Sequence, residues 1–352
     1  MFGAASERVS CMIDLTLMVP GFAASIEGLP EESLPECPSL EYLLGKSRRR
    51  RDLSNNFHEL LCAQFGLGHE TEHDLPIAAL SYLADDNHLP EGIWMRMDPV
   101  HLQTEMNGLT MQAPVEANLS QRDAILLAEP LEELFRNNGW VLKIPAPTRW
   151  YLQLDRRPAI RTSAPDQVLG KDIRHYLPVG EERGIWDRVT NEAQMLLHDC
   201  EVNLDRERQG LPIINSVWCW GCGSLPDILP RYWSRVFTDS PVARGLAMLS
   251  ATPWQELPEN AEDLLAEAAP GGKVLAVMEP RLPYAVCREF STIQENLLAL
   301  ETGWIAPLLG AVETGELARL QLIFEKNLFA YNSWSRLCFW RRPAGLSRAV
   351  AE

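Results

Sequence analysis

The chain has 352 residues, 46% of them hydrophobic and 23% charged, with a formal net charge of −16. That is the balance of an ordinary globular protein, long enough for two domains or for one domain with a large insertion. The negative charge excludes nonspecific nucleic-acid binding, which needs a basic surface, and no apolar run approaches the roughly 20 residues of a membrane span.

Eight scattered cysteines read as reduced, mostly buried thiols. With no basic-then-apolar leader at the N-terminus, the expected location is the cytoplasm. Met12 to Val19 (MIDLTLMV) is expected to be the first strand of a central sheet. Pro38 to Gly45 reads as a short helix closed by its glycine. The four arginines Arg48 to Arg51 are the one exception to the acidic balance and read as a solvated loop or helix face, with a patch for nucleic acid or an acidic partner as the alternative. Phe57 to Gly66 carries Phe57, Leu60, Leu61 and Phe65 at helical spacing, and Ile93 to Met97 reads as a strand.

From about residue 94 the texture changes. Ser120-x-x-Asp123 opens an apolar helix as a capping arrangement, Pro130 is expected to kink or split that helix, and Gly139 closes it. Trp140 to Ile144 and Trp150 to Leu154 read as strands joined by Pro-Ala-Pro-Thr. Trp186 to His198 reads as a helix with Val189, Ala193, Leu196 and Leu197 turned inward. This helix–hairpin–helix order predicts a separate α+β lobe. Beyond it, an acidic surface helix and turn is expected over Pro258 to Gly272. Lys273 to Met278 and Leu320 to Phe324 are strand-like, and Thr292 to Leu309 between them is helical. That order predicts parallel pairing through right-handed crossovers.

The stretch Asn215-Ser-Val-Trp-Cys-Trp-Gly-Cys-Gly223 reads as a strand running into a tight turn. Alternation puts Trp218 and Trp220 on one face and Cys219 on the other, while Gly221 and Gly223 free the backbone. Cys219-x-x-Cys222 has the spacing of a redox couple or half a zinc site, but the other cysteines are isolated and no histidine follows His198. Incidental packing is the reading adopted. His69 and His73, at i, i+4 spacing beside Gly68 and Pro76, read as an exposed loop. His198-Asp199 reads as a helix end. In Asn203-x-x-Arg206-x-Arg208-x-Gly210 the arginines either clamp a carboxylate or phosphate or form helix-end salt bridges to Asp205 and Glu207. No phosphate loop, dinucleotide fingerprint or serine-nucleophile elbow occurs.

Several segments occur in one order: Trp94 to Glu105, Leu119 to Leu154, Ser163-Ala-Pro-Asp-Gln-Val-Leu-Gly-Lys171, Tyr176-Leu-Pro-Val-Gly180, Val202-Asn-x-x-Arg206-x-x-x-Gly210 and the tryptophan stretch. That order resembles archaeal-type cofactor-independent phosphoglycerate mutases. A resemblance over more of the chain is to the bacterial RpfE-type regulatory protein family, through Trp94-Met-Arg-x-Asp-Pro-Val-His-Leu102, Asn191-Glu-x-Gln-Met-Leu-Leu-His198 and Phe339-Trp-Arg-Arg-Pro343. The mutase resemblance implies an alkaline-phosphatase-like α/β core with a mostly parallel sheet and an inserted α+β cap lobe. The expected division is residues 1–93 and 215–352 for the core and 94–214 for the lobe.

The same resemblance implies two divalent metals, held by Asp and His, that activate a Ser or Thr for phosphoryl transfer. This chain departs from that pattern. Val19-Pro20-Gly21 stands where the first strand should meet Asp-Gly. The nucleophile position falls at or beside Phe57, with only Ser54 and His58 near in sequence, and Glu325-Lys326-Asn327 replaces the late Asp-His. The expectation is therefore a catalytically degenerate, cytoplasmic regulatory or metabolite-binding protein with no catalytic residue, metal or cofactor. A small phosphorylated or carboxylated metabolite would meet Arg174, Asn203, Arg206, Arg208, Asn215, Gly221 and Gly223. The alternatives are an active mutase or related phosphoryl-transfer enzyme, and an interaction scaffold that uses Arg48 to Arg51 for a regulatory protein partner.

Overall fold

Strand β1 (Ile13–Met18) lies between two parallel neighbours, and its apolar run is what burial on both faces of a sheet demands. The computed structural model describes residues 12–51, 53–54, 56–68, 73–105, 108–112, 119–279 and 290–347. The chain forms two units, Met1–Gly66 with Leu229–Glu352, and Leu67–Ile228.

In the first unit β1 is followed by α1 (Phe22–Ile26), α2 (Pro38–Lys46), β2 (Arg48–Arg50) and α3 (Phe57–Ala63). Gly45 does not close α2, which runs through it to Lys46. It is a glycine because a Cβ there would sit 2.1 Å from the Arg342 carbonyl oxygen. Arg48–Arg50 of the arginine run form neither loop nor helix but a strand that pairs antiparallel with residues 328–330, and Arg51 follows it outside regular structure.

The second unit holds α4 (Ile77–Asp86), β3 (Ile93–Val100), β4 (Leu102–Glu105), β5 (Gly108–Met111), α5 (Gln121–Asn137), β6 (Val141–Ala146) and β7 (Arg149–Leu154). It continues with α6 (Pro165–Val168), α7 (Arg183–His198), α8 (Glu201–Arg208) and β8 (Ser216–Gly223). The order β6-β7-β3-β8 makes an antiparallel sheet. Helices α5 and α7 cover it through Leu127, Leu131, Trp186 and Val189, and Trp140 stacks on Trp186 at 4.6 Å. Ser120 caps α5 as expected, accepting from the Asp123 amide at 3.1 Å. Pro130 does not split α5. The Leu126 carbonyl that it leaves without a helical donor is approached by the Cys200 thiol at 3.9 Å. Leu196, expected inside, is 39% exposed.

The chain returns to the first unit with β9 (Arg235–Thr238), α9 (Pro241–Leu249), β10 (Trp254–Gln255), α10 (Ala261–Glu267), β11 (Gly272–Val277) and α11 (Phe290–Leu300). A π turn (Glu301–Ile305), α12 (Ala306–Thr314), β12 (Leu317–Phe324) and β13 (Asn327–Tyr331) complete it. The expected single helix over 292–309 is thus interrupted, just before Pro307, whose missing N–H weakens the helical ladder. The interruption is structural: buried Glu301 accepts from the Ser39 and Leu40 amides at 2.8 and 2.9 Å, holding the start of α2.

The large sheet has the order β10-β9-β11-β1-β12-β13-β2, parallel from β10 to β12 and antiparallel over its last two pairings. This is the expected mixed α/β core with a mostly parallel sheet. The expected boundaries at 93/94 and 214/215 shift to 66/67 and 228/229. The cause is strand pairing: β8, assigned from sequence to the core, is hydrogen bonded to β3 along its length and belongs to the smaller sheet. Helix α4 packs there too, with Ala78, Ala79 and Tyr82 against Trp94 and Tyr151.

Candidate functional site

At the end of β1 the Val19 amide donates to the Ile323 carbonyl at 3.0 Å, so Val19 continues the sheet and is fully buried. Gly21 then adopts a left-handed φ of 80° that turns the chain into α1. Phe22 stacks on Phe324 with ring centroids 4.4 Å apart, filling the corner with apolar surface. Glu325 projects into this corner. It is the first residue of the two-residue turn between β12 and β13, and its φ of 40° is a conformation few side chains adopt.

The Glu325 carboxylate accepts from the Ala23 amide at 3.0 Å, and the Gly21 amide also faces it. Burial pushes this carboxyl up to about 7, against the pull of the two amides, with Glu27 adding to the rise. One carboxylate and two backbone donors form an anion–amide arrangement, the opposite of a cation site. The side chains of Val19 and Pro20 carry no ligand atom.

At the expected nucleophile position Phe57 is buried and begins α3. The helix is capped by Asn56, whose side chain accepts from the His58 and Glu59 amides at 2.9 and 3.3 Å. Ser54 donates to Glu59 at 2.5 Å. The residues present do not fit the two-metal pattern at the end of β1, at Phe57 or at Glu325. Among the described residues no group of three or more His, Cys, Asp or Glu is placed to hold a metal ion. His69 lies outside the described residues, and His73 is exposed.

The tryptophan strand is organised differently from its sequence reading. Gly221 and Gly223 do not form a turn beyond the strand; both lie within β8, and Gly221 has a left-handed φ of 66°. The pairing register of β8 with β3 shifts between Trp94 and Arg96, so the strand bulges. The bulge reverses the alternation, so that Cys219 and Cys222 both enter the core under α5 and α7. Burial pushes both thiols up to about 12, so neither is a poised thiolate, and packing is their role. A Cβ on Gly221 would lie 2.9 Å from Ile77, and one on Gly223 2.7 Å from Pro76. Close backbone approach, not a ligand, accounts for both glycines.

On the opposite face Trp220 donates to Asp98 at 2.7 Å, and Arg96 makes two 2.8 Å hydrogen bonds to the same carboxylate. The Arg96 guanidinium lies 5.1 Å from the ring centroids of both Tyr151 and Trp220. Burial works against the Arg96 charge, but Asp98 more than offsets it and keeps it protonated. Asp85 extends the network by accepting from Tyr151 at 2.6 Å and from Arg149 at 2.7 and 2.9 Å. Sequence reading passed over this cluster. Its one local sign is Arg96-x-Asp98, two charges at strand spacing inside an apolar segment. Beside Gly221, half-buried Asp74 accepts from the Thr162 amide and hydroxyl.

The residues expected to meet a metabolite are mostly engaged within the chain. The Asn203 amide donates to the Leu197 and Ile214 carbonyls at 2.8 and 2.7 Å, and its oxygen accepts from the Ile214 amide at 2.8 Å. Asn215 likewise pairs with the Leu102 amide and carbonyl, both at 2.8 Å. Arg206, buried, donates to the Pro212 carbonyl at 2.8 Å. Arg208 pairs with Asp205 and Arg174 with Asp172, both at the surface. Five of these seven expected contacts (Asn203, Arg206, Asn215, Gly221 and Gly223) therefore build the lobe itself, because each satisfies buried backbone or admits it closely.

No protein-family model matches the chain. It is 36% identical over 66 residues to the 2,3-bisphosphoglycerate-independent phosphoglycerate mutase of Methanosarcina barkeri, which is 19% of this chain and 17% of that protein. It is 35% identical over 68 residues to the enzyme of the same name from Methanothrix thermoacetophila, again 19% and 17%. The matched segment thus spans about one-sixth of the length of these relatives. Among solved structures, the PH0037 protein from Pyrococcus horikoshii aligns with TM-score 0.52 at 13% identity, over 95% of this chain and 91% of that one. A cofactor-independent phosphoglycerate mutase from Thermoplasma acidophilum aligns with TM-score 0.45 at 16% identity, over 96% and 95%. The chain shares its fold with the Pyrococcus protein and is distantly similar to archaeal-type cofactor-independent phosphoglycerate mutases.

Proposed function

We propose that this chain is a phosphoglycerate-mutase-like protein that no longer performs two-metal phosphoryl transfer and acts instead as a regulatory or metabolite-binding protein. The observation that carries the reading is Glu325. Its carboxylate holds the amides of the turn after β1, in the corner where the mutase pattern calls for metal ligands. Two-metal catalysis needs several anionic or imidazole ligands around two ions about 4 Å apart, with an activated nucleophile. Here Val19, Pro20 and Phe57 supply neither ligand nor nucleophile. A regulatory role agrees with the resemblance to RpfE-type proteins, and the free buried thiols fit a reducing, cytoplasmic setting.

Metabolite recognition would fall to the surface arginines Arg174 and Arg208, each of which would exchange its present carboxylate partner for one on the ligand. The test is a thermal-shift and calorimetric titration of the full chain with 2- and 3-phosphoglycerate, with and without manganese, alongside a mutase assay. Saturable binding without turnover supports the metabolite-binding form. Silence across the panel leaves the regulatory form alone. Turnover that needs manganese overturns the proposal.

A further inference from the structure

The large sheet ends on a strand made of arginine. Strand β2 pairs with β13 on one side, and among the described residues no strand follows it in the sheet on the other. An open edge presents unpaired backbone donors and acceptors to any extended chain. Arg49 is drawn inward, its guanidinium 5.3 Å from the Phe329 ring and its Nε donating to Asn327 at 3.0 Å. Arg48 and Arg50 on either side of it are exposed. Such a row repels a second copy of itself, so the edge is closed to self-pairing and open to a strand of opposite charge.

Next to this edge lies an aromatic patch. After β13 the segment from Ser333 carries Trp334, Phe339 and Trp340 with 74%, 84% and 67% of their surface exposed. Fixed contacts hold its backbone: Lys46 donates to the Cys338 carbonyl at 3.2 Å, Arg341 to the Lys46 carbonyl at 3.0 Å, and the Ala344 amide to the Glu41 carbonyl at 3.2 Å. Lys46 ends α2 two residues before β2, so these contacts place the patch beside the arginine edge. Phe339 and Trp340 meet edge to face at 5.2 Å. From Ser333 to Ser347 there are three arginines and no acidic residue, on a chain whose net charge is −16. Clustered exposed aromatic and arginine side chains are the composition of a binding hot spot.

We propose that this face docks an extended acidic segment of a partner protein, which adds to β2 as a further strand. Its carboxylates would meet Arg48 and Arg50, and its apolar side chains Phe339 and Trp340. The chain's overall negative charge opposes anionic bilayers and nucleic acids at long range, whereas a short acidic strand meets only the local basic field. The open backbone edge also matches a peptide and has no counterpart in a lipid headgroup or a phosphodiester. This inference uses the β2 edge and the segment after β13, not the side chains of Val19 or Glu325, so it holds whether or not phosphoryl transfer survives.

The test uses the full chain and a fluorescein-labelled peptide of alternating glutamate and valine with one central phenylalanine. The same peptide N-methylated at alternate residues, phosphatidylserine–phosphatidylcholine vesicles and a thymidine oligonucleotide serve as competing probes. Expected are saturable peptide binding that weakens with salt, at least a tenfold loss in the Arg48→Glu/Arg50→Glu variant and in Phe339→Ala/Trp340→Ala, and loss on N-methylation. The unfolding midpoints of both variants are expected to match the parent, which separates lost docking from lost folding. No peptide binding, or binding that these variants leave unchanged, overturns the proposal. Binding of vesicles, of the oligonucleotide or of a second copy of the chain that the arginine substitutions abolish assigns the face to that occupant and overturns it equally.

Discussion

Glu325, in the turn between the last two strands, accepts a hydrogen bond from the Ala23 amide at 3.0 Å, in the first turn of the helix that follows β1. Residues 302 positions apart in sequence thus close one corner of the sheet. In the proposed reading this contact stands where the mutase pattern would build a set of ligands around metal ions. Because burial keeps the carboxyl up to about 7, the contact is also sensitive to pH.

The sign of that sensitivity follows from linkage. The unfolded Glu325 carboxyl titrates at about 4.3 and the folded one near 7, so the folded state holds the extra proton between those values. Stability is expected to fall as pH rises from about 4.5 to 7 and then to level off, by about 3 kcal/mol from this group. Glu325→Gln removes this part of the slope. Urea unfolding at pH 5 and pH 8 checks it: the variant should gain on the parent at pH 8 and not at pH 5. Parallel curves for the two proteins would refute the assignment.

Asn203 is expected to be a structural residue. Its three hydrogen bonds tie the end of α7 to the start of β8, and removing them leaves buried backbone groups unpaired. Asn203→Ala should cost about 3 kcal/mol in urea unfolding. A ligand contact at this position would instead leave stability unchanged while altering metabolite binding.

Breaking the buried Arg96–Asp98 pair is expected to be costlier. Asp98→Ala leaves a guanidinium enclosed between Tyr151 and Trp220 without its counter-ion, a loss of about 3–5 kcal/mol. The double variant Arg96→Met/Asp98→Leu should recover most of it, because the two charges leave together. Additive losses in the double-mutant cycle would mean that the pair is not coupled.

Cys219 and Cys222 are expected to resist iodoacetamide at pH 8 in the folded chain and to react once urea unfolds it. Both are buried, with thiols pushed up to about 12. Rapid native alkylation, or zinc that protects the pair, would restore the redox or metal reading.

Much of this architecture is legible in the sequence, and what is not has a common cause. Met12 to Val19 and Leu320 to Phe324 announce central strands because strands buried on both faces need unbroken apolar runs. Ser120 announces a helix start because the capping hydrogen bond is local. The unit boundary was misplaced because β8 pairs with β3 across more than a hundred residues, which no local period records. The bulge at Gly221, the Glu301 bonds to α2 and the Glu325 cap are equally long-range. So is the placement of the arginine run as an edge strand. The candidate site was legible mainly through what Val19 and Phe57 cannot do; what Glu325 does instead required the fold.

On the proposed reading, the corner joining β1 and β12 binds no pair of divalent metals. Manganese titration of the full chain by calorimetry, with bound metal counted on the dialysed protein and phosphoglycerate interconversion followed in the same sample, tests it most directly. No stoichiometric manganese and no interconversion are expected. Two manganese ions per chain with turnover would contradict it.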